Sequence, residues 1–326
     1  MDYVGKVFEA LERNREIFSG RFGRLDPGGT EPRWEFLPHS RYDGIGGLYA
    51  LLRRDGFVSR DCVLPMGRER EPPHVLVRLR ALHEYFKNCS ACPWIWPRLS
   101  SAPSNGRPSS NFGWTVLEPD ETRVLRAAAK SCGVTVNSWL LSFLNRLVEE
   151  RRKVRAPGIG WMIGVNLRGA VALERATANH AGFLRLNLPR GAGARETHAL
   201  VEDALRRGLH WGSWDMMQAG GRLGDLAIQA AYEVEWLVSG YWTGIFSNLG
   251  ELHGGGPSGV SWLFAPPVDR RVPFAAGCLT WNGRLSLTAQ FDPRIPAEIE
   301  PAQVWIDVWR KRLLTEARGG RRARAR

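Results

Sequence analysis

Residues 36–54 read FLPHSRYDGIGGLYALLRR, and no other stretch of the chain limits its backbone as tightly. An apolar strand closes on Pro38, whose ring fixes φ. Asp43 and Gly44 then supply a turn, and Ile45 to Arg54 carries the apolar spacing of a helix. Strand, turn and helix in one short run belong to a layered α/β domain, where a helix packs back on the sheet that feeds it. Gly44, Gly46 and Gly47 let that helix begin close to its neighbours. Their spacing is wrong for a dinucleotide loop, and the chain has no P-loop and no HExxH.

Between Pro38 and Gly44 sits His39, one of seven histidines. Its constrained backbone aims the imidazole, and an imidazole of ordinary pKa accepts a proton near neutral pH. Asp43 organises the turn in one of two ways. It pairs with a distant arginine, or it bonds backbone N–H groups as a helix cap. The same string also suits a turn histidine that only packs, so base and packing residue both stand on these residues alone.

The remainder alternates strand and helix patterns without a repeat. Val4, Val7, Phe8, Leu11 and Phe18 mark one face of an N-terminal helix, and RWEFLPH reads as a strand. VLVRLRALHEYFKN is helical after a Pro- and charge-rich crossover, which completes an N-terminal lobe over 1–100. SAPSNGRPSSNFG, 101–113, has the composition of a linker. A C-terminal lobe, 114–316, opens with two helices, the first from Asp120 or Glu121 to Gly133 and the second capped by Thr135. GIGWMIGVNLRG closes on Arg168 and GFLRLNLP alternates, so both read as strands. ETHALVEDALRRGLHWG and LGDLAIQAAYEVEWLV read as helices. Strands at TGIFSNLGEL, FAAGCLTWNG and RLSLTAQFD follow, the last two a hairpin about Asn282-Gly283, and then a last helix. Residues 317–326, with five arginines, read as a disordered basic tail.

With 44% hydrophobic and 24% charged residues, 326 residues make a sizeable core. No apolar run is long enough to span a bilayer, and the N-terminus has no apolar signal core, so a cytoplasmic location is expected. The net charge of +12 falls to about +7 without the tail. No helix-turn-helix, zinc-finger or RNA-binding signature accompanies it, and specific nucleic-acid binding is not expected. Five cysteines give an odd count and no disulfide framework. Cys89 and Cys92 form a CxxC, but Pro93 follows at once and no second ligand pair appears, although Cys62, His74 and His83 lie near in sequence. Ordinary thiols and no metal are the expectation.

HxxxDG followed by a small-residue helix resembles the active-site motif of the chloramphenicol acetyltransferase-like superfamily, which includes condensation domains, alcohol acetyltransferases and wax-ester synthases. CGVTVNSWLLSFLNRLV, IGVNLRG, NHAGFLRLNLP, FSNLGEL and LTWNGRLSLTAQFD are similar to its later motifs, in the same order. The resemblance implies a two-lobed α/β sandwich with a tunnel between the lobes. It also implies an acyltransferase that takes an acyl group from a coenzyme A or carrier-protein thioester to an alcohol or amine. No cofactor would be resident; the thioester is a co-substrate. His39 would be the base, Asp43 a structural partner of Arg168, Gly44 the turn, and Ser247 or Asn248 the oxyanion donor. Coenzyme A phosphates would also gain from the positive field.

The sequence departs from the superfamily at Pro38, where many members have a second histidine. Only 38 residues precede His39, far fewer than usual, which implies a shortened N-terminal lobe. A non-catalytic scaffold that binds a carrier protein or another subunit is the rival reading, and a homo-oligomer is left open. His180 reads as a loop or tunnel residue. Trp94, Trp96, Trp211, Trp214, Trp236 and Trp242 read as an acyl pocket or as core.

Overall fold

In the computed structural model of the chain, the described residues are 3–13, 18–88, 94–99, 111–153, 155–230, 242–296 and 299–322. Helix α1 (Tyr3–Arg13) leads into the antiparallel pair β1 (Ser19–Leu25) and β2 (Arg33–Pro38), with Phe22 opposite Glu35. Helix α2 (Gly44–Arg54) follows, and its Leu48, Leu51 and Leu52 join Phe22 in the core of this lobe. The third strand of this sheet, β7 (Ser261–Ala265), comes from far along the chain and pairs antiparallel with β1, Phe22 opposite Phe264. The order is β2-β1-β7.

The larger sheet holds β3 (Phe112–Leu117), β4 (Gly158–Asn166), β5 (Ala181–Pro189), β6 (Gly244–Leu252), β8 (Phe274–Trp281) and β9 (Arg284–Phe291), in the order β3-β9-β8-β6-β4-β5. Only β4–β6 and β6–β8 run parallel. One face is covered by α4 (Pro119–Ser131), α5 (Val136–Arg151), α6 (Ala194–Arg206) and α8 (Ala302–Arg322) around a core that includes Leu140, Trp161, Phe274 and Trp305. Beside β5, α3 (Val75–Asn88) and α7 (His210–Leu223) pack with α1 around Trp211 and Trp214. Trp211 Nε1 donates to Glu69 Oε2 at 2.6 Å, which ties the crossover before α3 to α7.

Local chemistry explains most boundaries. Pro119 occupies the first turn of α4, and Glu118 and Glu121 form a capping box, so α4 starts ahead of the expected Asp120 or Glu121. Gly133, at φ +71°, carries the chain out. Thr135 Oγ1 accepts from Ser138 N at 3.2 Å and caps α5. Asn282 and Gly283 take φ of 45° and 83°, the left-handed pair that a two-residue hairpin between β8 and β9 demands.

Two expectations are corrected, and one strand adds to them. The helix expected through 196–212 is two helices, because Gly208 turns out of helical geometry at φ +67°. SWLFA is a strand, β7, and is buried on both faces, so it lacks the alternation that reveals a half-exposed strand. Because β7 completes the first sheet, that sheet draws strands from both sides of 101–113. The last helix continues to Arg322 with Ala317 fully buried, so residues 317–322 of the segment expected as a tail are helical. Residues 323–326, the linker core 101–110, Cys89, Cys92 and Trp236 lie outside the described residues. Trp96, Trp211 and Trp214 are core residues, each with 4% exposure or less.

Candidate active site

His39 follows the last residue of β2, and its backbone is fixed from both sides. Its N–H donates to Phe18 O at 2.7 Å, and its carbonyl accepts from Asn179 Nδ2 at 3.1 Å. The imidazole is half-buried, with the ring of Phe8 from α1 against it at 4.6 Å between centroids and 71° between planes. Phe18 backs Phe8 edge-on at 5.6 Å, and Ser40 Oγ donates to Glu12 Oε2 at 3.0 Å, so α1 is moored beside the turn. Burial pushes the His39 pKa down to about 4, against the opposing pull of the Asp43 charge and the Tyr42 backbone. The ring is therefore neutral near pH 7, with one nitrogen a donor and the other an acceptor.

Asp43, 4% exposed, caps α2 and carries an ion pair at once. Its Oδ1 accepts from Gly46 N at 2.7 Å and Arg168 Nη2 at 2.9 Å; its Oδ2 accepts from Arg168 Nη1 at 2.8 Å and His180 N at 2.9 Å. Arg168, just beyond β4, is equally buried. The five N–H bonds of its guanidinium find five acceptors: Asp43 twice, Asn166 Oδ1, Ala176 O and Ala178 O. A buried pair is costly to desolvate unless every lone pair and proton is met, and here each is. The two alternatives for Asp43, helix cap and arginine partner, are thus both realised.

Glycine is required at this turn by contact. A Cβ on Gly44 would lie 2.6 Å from Leu249 Cδ2, and one on Gly46 would lie 2.1 Å from Thr177 O. Through Leu249, strand β6 meets the turn. Ser247, two residues earlier on β6, lies beside Gly164 of β4, where a Cβ would be 3.3 Å from Ser247 Oγ. Asn248 Oδ1 is turned back to accept from Gly250 N at 2.9 Å, next to a bulge in the β6–β8 pairing. Among the described residues, neither Ser247 nor Asn248 hydrogen-bonds to the His39 turn. The structure therefore brings His39, Asp43, Gly44 and Arg168 into one bonded unit and leaves Ser247 and Asn248 on the adjoining strand.

No protein-family model matches the sequence, and no curated protein does. Solved structures do. Polyketide synthase associated protein 5 from Mycobacterium tuberculosis is similar at a TM-score of 0.54 and 16% identity, over 90% of this chain and 75% of that one. The epimerization domain from the third module of tyrocidine synthetase B gives 0.53 and 13%, over 88% and 68%. The first condensation domain of the CDA synthetase gives 0.52 and 13%, over 97% and 72%. The chain has the chloramphenicol acetyltransferase-like fold.

Within this chloramphenicol acetyltransferase-like frame, the contribution that the sequence reading missed is the pair Asn179-His180. Asn179 holds the His39 carbonyl and the His180 N–H holds Asp43, so one dipeptide fastens both ends of the motif. His180 is 3% exposed, and its Nδ1 lies 2.9 Å from Ala178 O, which makes it part of the support. The signal was an Asn-His ahead of a strand, within the NHAGFLRLNLP stretch noted above, and it did not reveal these contacts. Cys62 lies in the loop after α2, His74 just before α3, and His83 on its outer side. No group of three or more His, Cys, Asp or Glu side chains that could hold a metal occurs among the described residues.

Proposed function

We propose that the chain is an acyltransferase that moves an acyl group from a coenzyme A or carrier-protein thioester to an alcohol or amine, with His39 as general base. His39 takes the proton of the acceptor as its oxygen or nitrogen attacks the thioester carbonyl. The tetrahedral intermediate collapses, the C–S bond breaks, and the leaving thiolate recovers the proton from the imidazolium. A low imidazolium pKa suits the second half of that cycle, because a thiolate is a much stronger base than His39 and takes the proton downhill. Ser247 Oγ or the Asn248 amide would donate to the oxyanion, and loss of such a donor raises a barrier by about 3 kcal/mol. Asp43, Arg168 and Gly44 hold the base and do not touch the reacting atoms.

The observation that supports this reading is the half-buried, neutral imidazole on a turn whose anchoring groups are bonded in full. The test is acceptor-dependent thiol release from a panel of acyl-coenzyme A and acyl-pantetheine donors. His39→Ala is expected to lower the rate by about 10²–10⁴-fold with an unchanged thermal transition. Equal rates in the two proteins would remove His39 as the base. A second reading, a non-catalytic carrier-protein scaffold, draws on the Phe8 ring that covers one side of the imidazole. Carrier binding unaltered by His39→Ala, with no turnover of any donor, would favour it.

A further inference from the structure

Helix α3 is amphipathic in the reverse of the usual sense. Its inner side carries Ala81 and Tyr85, which pack on α7 so closely that a Cβ on Gly212 would lie 2.3 Å from Ala81 O. Charges on that side are used within the protein: Arg78 bonds Asp215, and Glu84 lies 3.8 Å from Arg207. The outer side is largely apolar, interrupted by the exposed His83. Val75, Leu76, Leu79 and Phe86 are 57%, 66%, 57% and 60% exposed. Val75, Leu79 and Phe86 fall on one stripe at helical spacing, with the partly buried Leu82 between them. Arg80 and Lys87, both exposed, flank the stripe a heptad apart, and Arg80 has no ion-pair partner among the described residues.

We propose that α3 is an interfacial helix that seats this stripe in an anionic lipid surface. Side chains more than half exposed on a single helix stand proud of the surface and do not line a groove, which suits a soft apolar phase more than a rigid partner. The flanking cations, in a chain of net charge +12, complement anionic headgroups. A second copy would bring Arg80 and Lys87 against the same residues, and the one acid of α3, Glu84, is turned toward Arg207. No helix among the described residues is long and apolar enough to cross a membrane, so the contact is one of lying on the surface. The inference is independent of the acyl-transfer reading.

The test is co-sedimentation of the full chain with phosphatidylcholine vesicles, with and without phosphatidylglycerol. Expected is partition onto the anionic vesicles that falls at least ~10-fold in Leu79→Glu/Phe86→Glu and several-fold in Arg80→Gln, with unchanged thermal transitions. Absence of partition overturns the proposal. So does partition unaffected by the double variant, which would assign it to diffuse positive charge. A dimer in lipid-free buffer that the double variant dissociates would mean that a second copy covers the stripe, and a tight complex with an acidic amphipathic peptide without vesicle binding would assign it to protein; either result also overturns the proposal.

Discussion

Asp43 accepts four hydrogen bonds at once, from Gly46, His180 and twice from Arg168, so its removal is felt in three separate segments of chain. Asp43→Ala strands the Arg168 cation in a site with 4% exposure. The expected cost is about 3–5 kcal/mol, read as a lower urea midpoint; a change within ±0.5 kcal/mol would mean that the pair is replaced by water. The motif itself was legible because His, Asp and Gly at that spacing are visible without a structure. Asn179 and His180 were not, since a side-chain amide and a backbone N–H reach the His39 turn only once residues 140 and 137 apart in sequence meet in the fold. His39 also shapes the pH response. Its folded pKa of about 4 lies below the ordinary 6.5, so the unfolded chain binds more protons between those values. The stability it contributes is complete above about pH 6.5 and is lost as pH falls toward 4.

Helix α2 is positioned by what its first turn lacks. With Thr177 O at 2.1 Å from a Cβ on Gly46, the segment that presents Ala176, Ala178 and Asn179 to Arg168 and His39 would have to retreat. Gly46→Ala is therefore expected to cost about 1–3 kcal/mol in thermal or urea unfolding and to lower activity with it. Wild-type stability in that variant would show that the close approach is not needed. Elements with strong periodicity or caps, such as α2, α3 and α5, were readable. β7 was hidden by burial on both faces, and the α6–α7 break by a single glycine whose φ no pattern reveals.

On the scale of the molecule, β7 joins the two sheets. It pairs with β1, and Thr288 Oγ1 of β9 donates to Phe264 O at 2.6 Å, so the small sheet is fastened to the large one through the strand that completes it. Thermal unfolding is expected as one transition by far- and near-UV circular dichroism; two resolved transitions would show lobes that fold independently. The fold class was legible in the alternation of elements, but a strand lent across the molecule depends on tertiary pairing that no local pattern encodes. The proposed chemistry depends on this frame delivering one group: a fixed, neutral imidazole, half-covered by Phe8. The direct measurement is the ¹⁵N titration of the His39 ring by NMR, in wild type and in Phe8→Ala. A midpoint near 4 that rises when Phe8 is removed is the expected result. A midpoint at or above 6.5 in the wild type, insensitive to Phe8, would contradict it.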